Sequence, residues 1–594
     1  MSYFAIFSTL INLNHPQTYV HYSFFSISIA NLIIIATMAV IFGLALVLPF
    51  PKARIIKDKQ SREKPVTLDL TSDSEVSRQW TYRLRRLWLA KLPPNQLLPD
   101  SQPAYVSSWI YVFGVATLAA LFGVIVSGLI LAIGGVQWWH QSTLGHFVNS
   151  IHLWSVEVFM SFMVIHLWGK FWMAAWRGKR ALTWMTGVLA FLISIVEAFT
   201  GYLSQQNFDS QWIATNGKDA INATGLGSFF NLMNFGQMIT WHIVLIPLVL
   251  VFIIAIHIIM VRLKGVSRPI EKGFSKMAKK EIKRAEARHW SGPNRSYDIL
   301  KEGTISLVIV SLLILGLAYT FSSPDQPPVT IRTWAEMAPK DFIATADQEL
   351  ARTSLTAQYG PPYNHNSRSV QKIGVSWQLL AGVHQPINTA EDFVLLPLEV
   401  NSMANLSLQK AITEFKSAST AIQISWAKNY LNKPNNIVIN NGRLKTNYPK
   451  SSGFGPVPIL LASEFQLARS GAIDANLLSQ SPFYGTNYTK PLLFIEDGNY
   501  FSSLAKQDHL IGNEWGVMNE GGSFPGQPWL WLYTMWYQVP GFSTSTNVDL
   551  IAVYLTGAAT MILMFVPFIP GLSSVPKRIP VYKLIWRSWY KDKK

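Results

Sequence analysis

An all-α bundle of membrane-spanning helices, with a soluble domain inserted on its outer side, is the fold this sequence predicts. Three observations carry that reading. The 594 residues are 49% hydrophobic and only 14% charged, with a mean hydropathy of +0.21, a composition of integral membrane proteins. Seven apolar stretches are long enough to cross a bilayer as helices. Between the sixth and seventh, residues 322–526 are rich in Asn, Ser, Pro and Gly and carry short apolar runs, the pattern of a folded domain rather than a linker.

In chain order, the expected spans are 26–50, 110–133, 151–173, 182–202, 239–261, 304–321 and 550–569. The first follows a weakly charged N-terminus without a small-residue cleavage site, so it reads as a retained anchor. Lys and Arg concentrate at 52–64, 83–91, 170–180, 262–288 and 577–594. Seven alternating spans place all of these on one side, which the positive-inside bias makes the cytoplasm. The formal charge of +17 is then matched by topology and anionic lipid, and a nucleic-acid partner is excluded because the cations are scattered over juxtamembrane segments. The same alternation sends 322–526 outside, with helices expected at 334–353, 406–431 and 462–478. Asn405 and Asn487 lie in glycosylation sequons, which occur by chance as readily as by use. The expected divisions are 1–104, an extra anchor with a basic segment; 105–270, a four-helix core; 271–321, a basic linker and fifth core helix; 322–526, the outer domain, mainly helical or α+β; and 527–594, a last span with a basic tail.

Two of the apolar stretches carry paired histidines, His152 with His166 and His242 with His257. Separations of 14 and 15 residues span about 21–23 Å and return to nearly the same helix face. Histidine within a bilayer needs a partner, and an iron shared by two facing imidazoles provides one. Two such helices side by side would hold two hemes b stacked through the membrane. Gly114 and Gly128, and Gly187 and Gly201, repeat the 14-residue interval on the two remaining helices, small residues where a macrocycle would meet backbone. The chain contains no cysteine, which excludes disulfides, covalent c-type heme, thiolate-bound iron–sulfur clusters and copper–thiolate sites.

With these pairs, Thr183-Trp184 opening the third core helix, Gly201-Tyr202 closing it and Arg262 just past the last histidine, residues 112–270 resemble the cytochrome b family of respiratory bc and photosynthetic b6f complexes. The 15-residue interval is similar to the b6 and Gram-positive branch. The resemblance implies that His152 and His242 ligate an outer heme b and His166 and His257 an inner one, both non-covalent. It implies glycines 114, 128, 187 and 201 around the cofactors, Arg180 and Arg262 as inner-side cations, and quinol or quinone as substrate. It also implies partners: a Rieske-type iron–sulfur protein, an external electron carrier, and other membrane subunits, with a dimer among the possible arrangements.

The sequence departs from the family at the outer end. The Pro-Glu-Trp-Tyr element, whose glutamate accepts the quinol proton in relatives, is replaced by Gln527-Pro528-Trp529-Leu530, and the Pro-Trp element after the third helix by residues 203–210. Glu197, one turn before Gly201 on the same face, and Asp209 in the following loop are the displaced candidates for proton acceptor, with Glu514 and Glu520 further on; packing of Glu197 against a Trp or Tyr is the plainer alternative. Glu157 is rotated about 140° from the His152 face and reads as structural. Asn149 and Gly169 stand where relatives place propionate-binding arginines, which leaves the outer heme to neutral donors. The expectation is a diheme cytochrome b subunit of a bc-like quinol-oxidising complex. Two alternatives stay open: a transmembrane electron conduit from an external donor to quinone, and a structural or docking subunit.

Overall fold

The computed structural model describes residues 10–16, 18–51, 55–56, 97–270, 290, 292–433, 437–479, 486–511, 522–525 and 531–592. The basic segments 52–54, 57–96 and 271–289, together with Glu514, Glu520 and residues 526–530, lie outside these. Among the described residues, seven helices are long and apolar enough to span a membrane, each at its expected place: α1 (Ile29–Val47), α2 (within Trp109–Gly134), α3 (Thr143–Trp172), α4 (Ala181–Leu203), α6 (Phe235–Lys264), α7 (Ile299–Thr320) and a last span, Val548–Phe568. The chain is a multi-pass membrane protein built as a helical bundle. The end of the bundle that carries the insert is called outer below.

The helices begin where the sequence supplies caps. Ser142 opens α3 by accepting from Gly145 N–H, and Asp298 opens α7 by accepting from Leu300 and Lys301 N–H, which satisfies donors that have no partner within the helix. Antiparallel α2 and α3 form one half of the core and α4 and α6 the other, with α7 laid across α2 and α3. Ala116, Ala119 and Ala120 on α2 and Leu153, Val158 and Phe159 on α3 meet Val310, Ile314 and Ala318 of α7 in one buried cluster. Small side chains on α2 let the backbones approach, which is how helices associate where lipid removes the hydrophobic drive.

One stretch of α6 is wound as a π-turn, Trp241–Leu245, followed by Pro247 in the first turn of the regular helix Ile246–Lys264. Proline has no N–H for an ordinary i to i−4 bond. Just before it, Ile246 N–H reaches back five residues to the Trp241 carbonyl. The extra residue taken up here is why His242 and His257, 15 residues apart, face the same side just as His152 and His166 do at 14.

The inner end is a basic lid. Arg180 at the start of α4 donates to the carbonyls of Lys264, Gly265 and Val266 (2.9–3.3 Å) and Arg177 (3.3 Å). Tyr111 donates to Ser267 O (2.9 Å) and accepts from Trp586 Nε1 (2.7 Å), so the C-terminal segment folds against the same end. Strands β1 (Ile55–Ile56) and β2 (Ser101–Pro103) flank β3 (Asn294–Ser296) in an antiparallel sheet there.

Helices make up nearly all the regular structure of the insert, beside one short hairpin at 439–444, and they are shorter than the apolar pattern suggested. The expected 334–353 helix is two, Ile331–Met337 and Pro339–Leu350, because Pro339 starts a new helix but cannot continue one. Likewise 406–431 divides into Leu406–Ser417 and Thr420–Leu431, and 462–478 into Val457–Arg469 and Ala472–Ser479. The last break falls at Gly471, whose φ of +79° suits a residue without Cβ. The sequon Asn405 caps Leu406–Ser417 by accepting from Leu408 N–H.

The loop expected after α4 is instead a helix, α5 (Phe208–Ala223), opened by Asn207 accepting from Ser210 N–H. Thirteen of its sixteen residues are buried, so it lies inside the protein rather than on a surface. Its Phe208, Trp212 and Ile213 share one core with Trp334, Phe342, Phe494 and Phe501 of the insert. Trp212 Nε1 donates to Leu510 O (2.9 Å), Gln211 exchanges bonds with both backbone groups of Val329, and Lys218 reaches Glu496 at 2.6 Å. The expected boundary at residue 322 is therefore crossed: a segment from inside the 105–270 unit completes the outer core.

Candidate functional site

The four histidines gather in two pairs, the outer one with its rings facing each other. His152 of α3 and His242 of α6 have ring centroids 6.2 Å apart with planes at 86°. Two metal–imidazole bonds of about 2 Å each, added to the half-widths of the rings, come to about 6 Å, so the gap is the size of one shared metal ion. His166 and His257 line a common cavity of about 1180 Å³ at the inner end, together with Gly114, Gly187, Arg180 and Arg262.

Each glycine lies against one imidazole. A Cβ built on Gly114 would stand 3.1 Å from His166 Cε1, on Gly128 3.1 Å from His152 Cε1, on Gly187 2.9 Å from His257 Cε1, and on Gly201 2.4 Å from His242 Cε1. The matched intervals follow from antiparallel packing, α2 against α3 and α4 against α6. The space the glycines clear is thus occupied at these contacts by histidine edges, where the sequence reading placed the macrocycle.

Behind the imidazoles sits a graded series of acceptors. His152 Nδ1 is 3.0 Å from Ser127 Oγ, whose hydroxyl donates to Gly123 O, and His257 Nδ1 is 3.1 Å from Thr186 Oγ1, whose hydroxyl donates to Thr183 O. With its proton directed to a carbonyl, each hydroxyl oxygen accepts the imidazole N–H. His242 Nδ1 lies 3.0 Å from the Glu197 carbonyl and 3.2 Å from its carboxylate Oε1. His166 Nδ1 is buried with no hydrogen-bond partner among the described residues. Sequence reasoning passed over Ser127 and Thr186, although a signal was present: each hydroxyl residue directly precedes one of the four glycines, whereas Phe113 precedes Gly114 and leaves His166 unserved.

The remaining candidates divide. Glu197 is brought to the outer pair, and its carboxylate engages the far side of His242 rather than standing free. Asp209 is buried in the first turn of α5, not in a loop. Glu157 is buried, as expected of a structural residue. Arg262 reaches the inner cavity with its Nε buried and without a hydrogen-bond partner among the described residues. Arg180 lines the same cavity, but its donors are held by backbone carbonyls. At the outer end Asn149 donates to Ser323 Oγ (3.2 Å), and at the inner end Gly169 packs on Ile110.

These contacts coincide with what the chain is similar to. The family model described as cytochrome b (N-terminal)/b6/petB matches residues 157–328. The cytochrome b6 of Heliobacterium mobile is 24% identical over 190 residues, covering 28% of this chain and 89% of that protein. The cytochrome bc complex cytochrome b subunit of Chlorobaculum thiosulfatiphilum is 28% identical over 136 residues, covering 21% and 32%. The menaquinol:cytochrome c reductase cytochrome b subunit of Bacillus subtilis is 24% identical over 189 residues, covering 28% and 84%. The matched segment holds three of the four histidines, both arginines and the second glycine pair, so the likeness to cytochrome b lies in the helical core that carries the candidate site.

Proposed function

We propose that this chain is the diheme cytochrome b subunit of a bc-like, quinol-oxidising complex, passing electrons across the membrane between quinol and quinone sites and partner redox proteins. Heme b binding follows from the family; two hemes is the proposal. The observation that carries it is the pair of facing imidazole pairs, each ring backed by a glycine, about 21 Å apart along α3 by helix rise. The hemes supply the one-electron chemistry. The protein supplies two imidazoles for each, close-packed helices that exclude water, and a charge-bearing inner end where Arg262 is positioned to take a propionate.

Within this reading the inner cavity has room for a quinone beside the heme, and the insert faces the extracytoplasmic side of the cell membrane with the C-terminus in the cytoplasm. A Rieske-type protein and an external carrier would complete the reaction. The second reading, a conduit from an external donor to quinone, gains support from two contacts: Glu197 engages His242, and α5 is covered by the insert.

Pyridine hemochrome analysis of the purified protein is expected to give two hemes b per chain and no heme c, and His166→Ala to remove one of them; a single heme in the wild type would overturn the proposal. Quinol-dependent heme reduction with and without a Rieske partner decides between the readings, since the bc-like one requires reduction through the outer site.

A further inference from the structure

We infer that Glu197 is a positioning residue of the outer site: it accepts the Nδ1 proton of His242, fixing the tautomer that leaves Nε2 free for iron and giving this imidazole a stronger electron-donating character than the other three. The inference rests on the diheme reading and extends it to an asymmetry between the two hemes.

The geometry is specific. Nδ1 of His242 is shared between the Glu197 carbonyl at 3.0 Å and Oε1 at 3.2 Å, while the second carboxylate oxygen is buried without a hydrogen-bond partner among the described residues. The side chain is 16% exposed, so water does little to dilute its field. A carboxylate on the outer nitrogen of a ligating histidine orients the ring and raises its basicity, and a stronger donor favours the more highly charged, oxidised iron. A hydroxyl oxygen does the same more weakly. The outer pair thus has a carboxylate behind one ring and the Ser127 hydroxyl behind the other. The inner pair has the Thr186 hydroxyl behind His257 and, among the described residues, no acceptor behind His166. Among the four ligands, His242 alone has a carboxylate behind it among the described residues.

The local sequence arranges this. Glu197 stands one turn before Gly201, so the glycine that admits the imidazole and the carboxylate that grips it lie on one face of α4. The π-turn of α6 turns His242 toward that face.

Redox titration of the purified membrane protein tests the inference with a readout independent of turnover. Glu197→Gln, nearly isosteric, should keep two hemes, raise the midpoint potential of the outer heme and move its low-spin EPR signal, leaving the inner heme unchanged. Glu197→Asp, which keeps the charge, should shift it less, and Ser127→Ala should give a smaller rise than Glu197→Gln. Potentials and spectra unmoved in Glu197→Gln at full heme content would overturn the inference, because the backbone carbonyl would then suffice. Should Glu197→Gln fail to assemble, a Glu197→Asp shift as large as or larger than that of Ser127→Ala would overturn it equally. Wild-type protein with fewer than two hemes b would instead remove the diheme reading beneath it.

Discussion

Gly201 stands so close to His242 that a Cβ on it would fall 2.4 Å from Cε1 and 2.9 Å from each ring nitrogen. Real Cβ atoms do not approach other heavy atoms within 3 Å, and the crowding here is against a ring that has to keep its place. Gly201→Ala is therefore expected to displace His242 and release the outer heme while the inner one stays, at an overpacking penalty of about 1–3 kcal/mol. Gly187→Ala, with 2.9 Å to His257 Cε1, should act similarly but less severely on the inner heme. Gly114→Ala and Gly128→Ala, at 3.1 Å, should be the mildest. Heme content of the four variants measures the order; a uniform loss across all four would contradict it.

The two inner arginines are expected to separate by kind. Arg180→Gln removes charge-assisted bonds to the carbonyls that end α6, a loss of about 1.5–3 kcal/mol that should appear as a lower unfolding temperature with heme spectra intact. Arg262→Gln should leave thermal stability nearly unchanged and shift the midpoint potential of the inner heme, since its guanidinium faces the cavity with Nε unbonded among the described residues. Equal stability losses in both variants would remove the distinction.

Topology is unusually easy to test because the chain contains no cysteine, so an introduced thiol is the only one. Met403, 88% exposed in the insert, should react as Met403→Cys with a membrane-impermeant maleimide on intact cells. Lys583→Cys, near the C-terminus, should react only after lysis. The reverse pattern would invert the assignment of outer and inner ends.

Acidity should stabilise the outer domain. Burial holds the carboxyl groups of Asp347, Glu349 and Glu464 well above their ordinary values. It also lifts Glu496 to about 7, against the opposing pull of Lys218. A carboxyl whose folded value is raised contributes stability that is fully present below its unfolded value, near 4, and is lost as pH rises through the folded one. Between pH 5 and 7.5 the unfolding temperature of the domain should therefore fall with rising pH. Glu464→Gln, which removes one titrating group whose oxygens have no partner among the described residues, should flatten the slope. A midpoint that rises over this window would refute the account.

The spans and the four histidines were legible in the sequence because bilayer thickness and helix periodicity impose patterns that need no tertiary context. The glycine intervals were legible too, but not their meaning, since only the antiparallel pairing of α2 with α3 and α4 with α6 reveals that each faces an imidazole. The role of Glu197 was hidden for the same reason: periodicity put it on the right face, but the Nδ1 atom it meets belongs to another helix. In the insert, apolar runs marked helices correctly and merged neighbours, because Pro339 and Gly471 interrupt the backbone without interrupting the buried stripe. The crossing of α5 into the outer core had no local signature, its residues reading as a polar loop until the partners from 331–510 are present.

That shared core has a consequence for how such a molecule could arise. A domain spliced between the sixth and seventh spans would leave α5 as it was. Here Phe208, Trp212 and Ile213 are packed among aromatic residues more than a hundred positions downstream, so the insert is not a detachable cassette, and the segment after α4 and the outer domain have to match one another. Excising 322–526 would not leave an intact surface behind but would strip Phe208, Trp212 and Ile213 of the aromatic side chains they lie against.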